Sequence, residues 1–86
     1  MDDDYLKFKA LLEKEHTFPC EYLFKFIVPF EGVEYIKRIL GDKNIKMHSS
    51  KTGKYLSINL KKLVNSSDEI IEVYKEAQNV IGIIAL

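Results

Sequence analysis

The chain has 86 residues, enough for one small domain that buries roughly 60–65% of its unfolded surface. It is 47% hydrophobic and 30% charged with a formal net charge of zero, the mix of a soluble globule rather than a disordered tail. Its one cysteine, Cys20, excludes an internal disulfide, and no apolar run approaches the ~18 residues of a transmembrane helix. The acidic start "MDDDYLKFK" lacks the basic head and apolar middle of a signal peptide, so the expected location is cytoplasmic.

Residues 3–15, "DDYLKFKALLEKE", read as a helix with acids in the first turn, where the macrodipole favours them. Tyr5, Phe8, Leu11, Leu12 and Glu15 follow helical spacing, with an apolar stripe through Leu12. Pro19 opens a new element. Residues 20–28, "CEYLFKFIV", are the clearest strand. Tyr22, Phe24, Phe26 and Val28 share its apolar face, and Glu21, Leu23, Lys25 and Ile27 share a half-polar one. That contrast predicts a central strand of a sheet covered on one side.

Residues 31–41, "EGVEYIKRILG", predict a short helix with Val33, Ile36, Ile39 and Leu40 inward and Gly41 just past its end. "NIKMHSS" and "KYLSINLKKL" alternate as strands around "KTGK", a hairpin. "SSDEIIEVYKEAQNV" predicts a second long helix, with Ser66-x-x-Glu69 as a capping box and Ile70, Val73, Tyr74 and Ala77 inward. "VIGIIAL" reads as an apolar terminal strand.

The order, a helix followed by βαββαβ, predicts an α+β, ferredoxin-like sandwich: a four-stranded antiparallel sheet with two helices on one face, plus an extra N-terminal helix. The first and third strands should be central. The whole chain, 1–86, is expected to be one domain, with residues 1–17 a helical extension and 18–86 the core.

Charge is unevenly spread. Residues 37–62 hold Lys37, Arg38, Lys43, Lys46, Lys51, Lys54, Lys61 and Lys62 against Asp42 alone. Acid collects at Asp2–Asp4 and at Asp68, Glu69, Glu72 and Glu76. Arg38 is the only arginine, which weighs against planar phosphate recognition.

The loop "HSSKTGKY", residues 48–55, could hold an anion through turn N–H groups and lysines. It joins two strands and has one glycine, so it is no P-loop. A polar hairpin with Gly53 at positive φ explains it more simply. RNA-recognition domains on this fold need aromatics on the central strands. In "TGKYLSINL" only Tyr55 is aromatic, Ser57 and Asn59 stand where stacking would be wanted, and Lys25 offers charge without a platform. Weak nucleic-acid binding is therefore only a third reading, supported by the basic middle segment alone, and a solvated basic face is the simpler one. The loop "VPFEG" lacks the arginine an acylphosphatase would need. His16 and Cys20 have a plausible spacing for metal but do not make four ligands. No catalytic arrangement stands out, so neither enzymatic activity nor a cofactor or metal is expected. Leu23 and Ile27, with Ile84 and Leu86, could form an apolar patch on the open sheet face. Such a patch would meet a second copy, a partner, or the N-terminal helix.

Two segments carry a family resemblance. "FPCEYLFKF" resembles the Phe-Pro start and aromatic-Lys strand of the YbeD-like bacterial proteins, and "SSKTGKYLSI" resembles their Ser-Ser-Lys-Gly-x-Tyr-x-Ser hairpin. The matching residues are Phe18, Pro19, Phe24, Lys25, Ser49, Ser50, Lys51, Gly53, Tyr55 and Ser57, within a resemblance spanning residues 12–86. Thr52 stands between the lysine and glycine of the hairpin pattern. The family's function is not established. Its fold is similar to the ACT regulatory domains, which commonly bind an amino acid near a glycine after the first strand. Val28-Pro29 occupies that place here and Gly32 lies farther along. The resemblance implies a regulatory or protein-interaction module, with an ACT-like sensor of an amino acid or anion as the alternative. Candidate ligand or partner contacts are Lys25, Ser49, Ser50, Lys51, Gly53, Lys54 and Tyr55. Self-association as a homodimer is a further expectation.

Overall fold

The computed structural model describes residues 3–41 and 45–85. Asp2, Asp42, Lys43 and Leu86, which entered the charge pattern and the apolar patch above, lie outside the described residues. The elements are α1 (Asp3–Glu15), β1 (Cys20–Pro29), a 3-10 turn (Phe30–Gly32), α2 (Val33–Leu40), β2 (Lys46–Ser49), β3 (Tyr55–Val64), α3 (Ser67–Ala77) and β4 (Ile84–Ala85). The strands form one antiparallel sheet in the order β2-β3-β1-β4, so β1 and β3 are central as the sequence predicts. This is the ferredoxin-like arrangement preceded by a helix.

The apolar face of β1 makes the core. Phe24, Phe26 and Val28 are fully buried, and their β3 partners are Leu60, Ile58 and Leu56. Val33, Ile36 and Leu40 of α2 and Ile70, Ile71, Tyr74 and Ala77 of α3 close over them. Burying one such large side chain contributes about 1.5–3 kcal/mol, so this layer dominates the stability.

Helix ends follow their local chemistry. Gly41 ends α2 at φ +92°, and its N–H reaches the Lys37 carbonyl. Ser66 caps α3, its Oγ accepting the Glu69 N–H at 3.3 Å. Glu69 reaches back to the N–H of Asn65 rather than of Ser66, so the predicted capping box is offset by one residue.

Helix α1 packs on the helical layer against α3. Phe8 meets Tyr74 edge-on with ring centroids 5.4 Å apart. The buried Ser67 hydroxyl donates to Glu13 at 2.8 Å and accepts from Lys9 at 3.2 Å. Lys9 also pairs with Asp68 at 2.8 Å. Leu12 is buried as expected, whereas Leu11 is 52% exposed.

The closing segment differs from its expectation. "VIGIIAL" is not one strand: among its described residues pairing is limited to Ile84 and Ala85. The Val80 and Ile83 N–H groups bond back to Ala77 and Val80, and Gly82 takes φ +84°. Residues 78–83 are thus a turn that lets Val80 and Ile83 pack on the core.

Candidate functional site

Because α1 lies with α3, the other face of the sheet is uncovered among the described residues. Its rows follow from the register. Glu21 pairs with Leu63, Leu23 with Lys61, and Lys25 with Asn59, which also partners Lys46. Ile27 pairs with Ser57 on one side and Ile84 on the other, and Ser57 with His48. Pro29 and Tyr55 close the far end. Leu23, Leu63, Ile84 and Tyr55 are all 43% or more exposed, an apolar content that a small domain rarely leaves wet. Around them, among the described residues of the paired strands, stand Lys25, Lys46 and Lys61 against the acid Glu21.

The β2–β3 hairpin borders this face. Ser50 organises it: its N–H bonds the Tyr55 carbonyl at 2.9 Å, its carbonyl accepts the Gly53 N–H at 3.0 Å, and its Oγ accepts the Tyr55 N–H at 3.3 Å. Gly53 takes φ +75°, the conformation for which glycine is suited. The Lys54 carbonyl accepts the Phe30 N–H at 2.9 Å, tying the hairpin to the turn after β1. The N–H groups of Ser50, Gly53 and Tyr55 are thus spent inside the loop. A backbone cradle for an anion would need those donors free.

The structure brings some of the predicted contacts together and separates others. Ser49, Ser50 and Tyr55 line a shallow hollow of about 210 Å³ with Ile27, His48, Leu56 and Ser57. Lys25 lies two residues from Ile27 on the same face. Lys51, Gly53 and Lys54 sit at the exposed hairpin tip and do not line the hollow. His48 stands beside Ser57, as strand alternation requires. His16 rests edge-on against Tyr22, ring centroids 5.6 Å apart.

A larger concavity of about 430 Å³ lies at the start of α2, between Pro29, Glu31, Gly32, Tyr35, Asn79, Val80 and Ile81. Asn79 Nδ2 donates to the Tyr35 hydroxyl at 3.0 Å, and Ile81 is 93% exposed at its rim. The sequence points only to Gly32 here, because the other wall, Asn79, Val80 and Ile81, comes from a turn where the pattern predicts the end of a helix and the start of a strand.

Two titrating clusters lie in the helical layer. The Ser67 hydrogen bond, then Lys9, hold the Glu13 carboxyl below the usual range. The Asp68 hydrogen bond holds Lys9 above its usual range. Burial, then the Tyr22 hydroxyl 3.1 Å away, push the Tyr74 phenol well up. The first cluster fastens α1 to α3 and the second joins α3 to β1, and neither faces the open side of the sheet.

Fold and site together define a small ferredoxin-like α+β domain with an uncovered, lysine-bordered sheet face. Residues 13–85 match the family model described as "Protein of unknown function (DUF493)", and the chain belongs to that family. This agrees with the resemblance carried by "FPCEYLFKF" and "SSKTGKYLSI". No curated protein and no solved structure gives a significant match to the chain. Among the described residues, no helix is long and apolar enough to cross a membrane.

Proposed function

We propose that the protein is a non-enzymatic regulatory or protein-interaction module whose open sheet face docks a partner protein. The observation that supports this is the composition of the uncovered face: Leu23, Ile27 and Ile84 bordered by Lys25, Lys46 and Lys61. Apolar side chains would supply the buried centre of such an interface, and the lysines would select an acidic rim on the partner. The hairpin tip, with Lys51 and Lys54, extends the basic border. Affinity capture from the source cells with the wild type and with a K25E/K46E/K61E variant tests it. The wild type retains a partner that elutes with salt and that the folded variant does not retain. Equal retention by both would contradict the reading.

The concavity at Gly32 and Tyr35 favours a second reading, an ACT-like sensor of a small molecule. Its volume falls within the range of small-ligand pockets. A thermal-shift panel of amino acids and small anions rises for the sensor and stays flat for the docking module.

A further inference from the structure

The two central strands run farther than their neighbours. β1 pairs with β3 along all of Cys20–Pro29, but with β4 only at Phe26 and Ile27. Along residues 20–25 the other edge of β1 has no strand partner among the described residues. In an antiparallel strand alternate N–H and C=O groups point to each edge, so this stretch presents a row of them outward. The comparable open edges are defended. β2 is only four residues long and carries Lys46, and the free end of β3 carries Lys61 and Lys62. Lysines on an edge discourage strand addition. The β1 edge instead reads Glu21-Tyr22-Leu23-Phe24-Lys25, an acid and a base placed symmetrically about a leucine.

We infer that this edge pairs with the same edge of a second copy of the chain, antiparallel, about a two-fold axis at Leu23. Residues facing each other across an antiparallel pair share a sheet face, and a two-fold interface must be self-complementary. With Leu23 opposite Leu23 of the second copy, Glu21 falls opposite Lys25 on both sides of the axis. All three positions lie on the open face, where Leu23 is 43% exposed. On the helical side Tyr22 falls opposite Phe24, which is already fully buried within its own chain. The neighbouring register that sets Tyr22 opposite itself puts Glu21 against Leu23 and loses both charge pairs. Among the described residues β4 occupies that edge at Phe26 and Ile27, and the ladder over residues 21–25 lies beside it. Two four-stranded sheets then become one of eight strands. A single short ladder is at the small end of specific interfaces, so the dimer is weak and forms with rising concentration.

The edge shares Leu23 and Lys25 with the face that docks a partner, but the test here uses the purified chain alone and reads self-association, so either idea can fail without the other. Sedimentation equilibrium over a concentration series gives a monomer–dimer equilibrium for the wild type. Glu21→Lys and Lys25→Glu each replace two opposite-charge pairs by like-charge ones and weaken the dimer about tenfold. The double variant E21K/K25E restores the pairs in reverse and recovers the dimer. On a Cys20→Ser background, Leu23→Cys oxidises to a covalent dimer. A wild type that stays monomeric at millimolar concentration overturns the proposal. So does a dimer indifferent to the single reversals, or a double variant as weak as the singles.

Discussion

At Gly32 the backbone is ordinary, with φ −93° and ψ −3°, so conformation does not demand glycine there. Space does: a Cβ would lie 2.5 Å from Val80 Cγ1 and 3.1 Å from Val28 Cγ1. Val28 is fully buried and both neighbours are stiff β-branched side chains, so relief must come from a backbone shift. Gly32→Ala is expected to cost about 1–3 kcal/mol in denaturant unfolding, the usual range for overpacking. Tyr74 supplies a pH-dependent counterpart. Burial first, and the Tyr22 hydroxyl second, favour its neutral form in the fold. The unfolded chain ionises it near its ordinary value of about 10. Its contribution to stability is full below that pH and falls as pH rises above it, because the unfolded state then binds fewer protons. Tyr74→Phe should flatten the alkaline limb of a stability–pH curve; an unchanged limb would assign it to other groups. The role of Ser50 was not legible in the sequence for a related reason. "HSSKTGKY" shows donors and acceptors, but only the closed turn shows that they satisfy one another.

Among the elements, β1, β3 and the three helices were legible because each carries a strong period: two for "CEYLFKFIV", 3.6 for the helices. The last strand was legible in its place but not in its extent, since a short apolar run such as "VIGIIAL" suits a strand and a core-packed turn equally, and the turn at Gly82 leaves Ile84 and Ala85 to pair. Where α1 docks was hidden for a different reason: an apolar stripe says that a face is buried, not against what. The answer lies in Lys9, Glu13, Ser67 and Asp68, which are far apart in the chain. Ser66→Ala removes the cap of α3 and should cost about 1 kcal/mol in thermal or denaturant unfolding. Acid should loosen the α1–α3 contact. Glu13 is held low by Ser67 and Lys9, so its contribution is present above the ordinary carboxylate range and is lost as pH falls through the lowered value. Amide exchange in α1 should quicken at low pH sooner than exchange in β1 and β3, and a uniform rise would contradict this.

For the molecule as a whole, the decisive feature is that all three helices occupy one side. The half-polar face of β1 predicted a sheet covered on one side, and the register extends that reading to β2, β3 and β4. The basic run through residues 37–62 resolves accordingly: Lys46 and Lys61 point with Lys25 to the open face, while Lys37 and Arg38 belong to α2. The central claim is that the open face, and not the helical layer, meets the partner. A photo-crosslinking residue placed at Ser57, in the middle of that face, or at Glu72, on the outside of α3, tests it most directly in the source cells. The Ser57 position is expected to capture a partner protein and the Glu72 position to capture none. Capture at Glu72 with none at Ser57 would contradict the account.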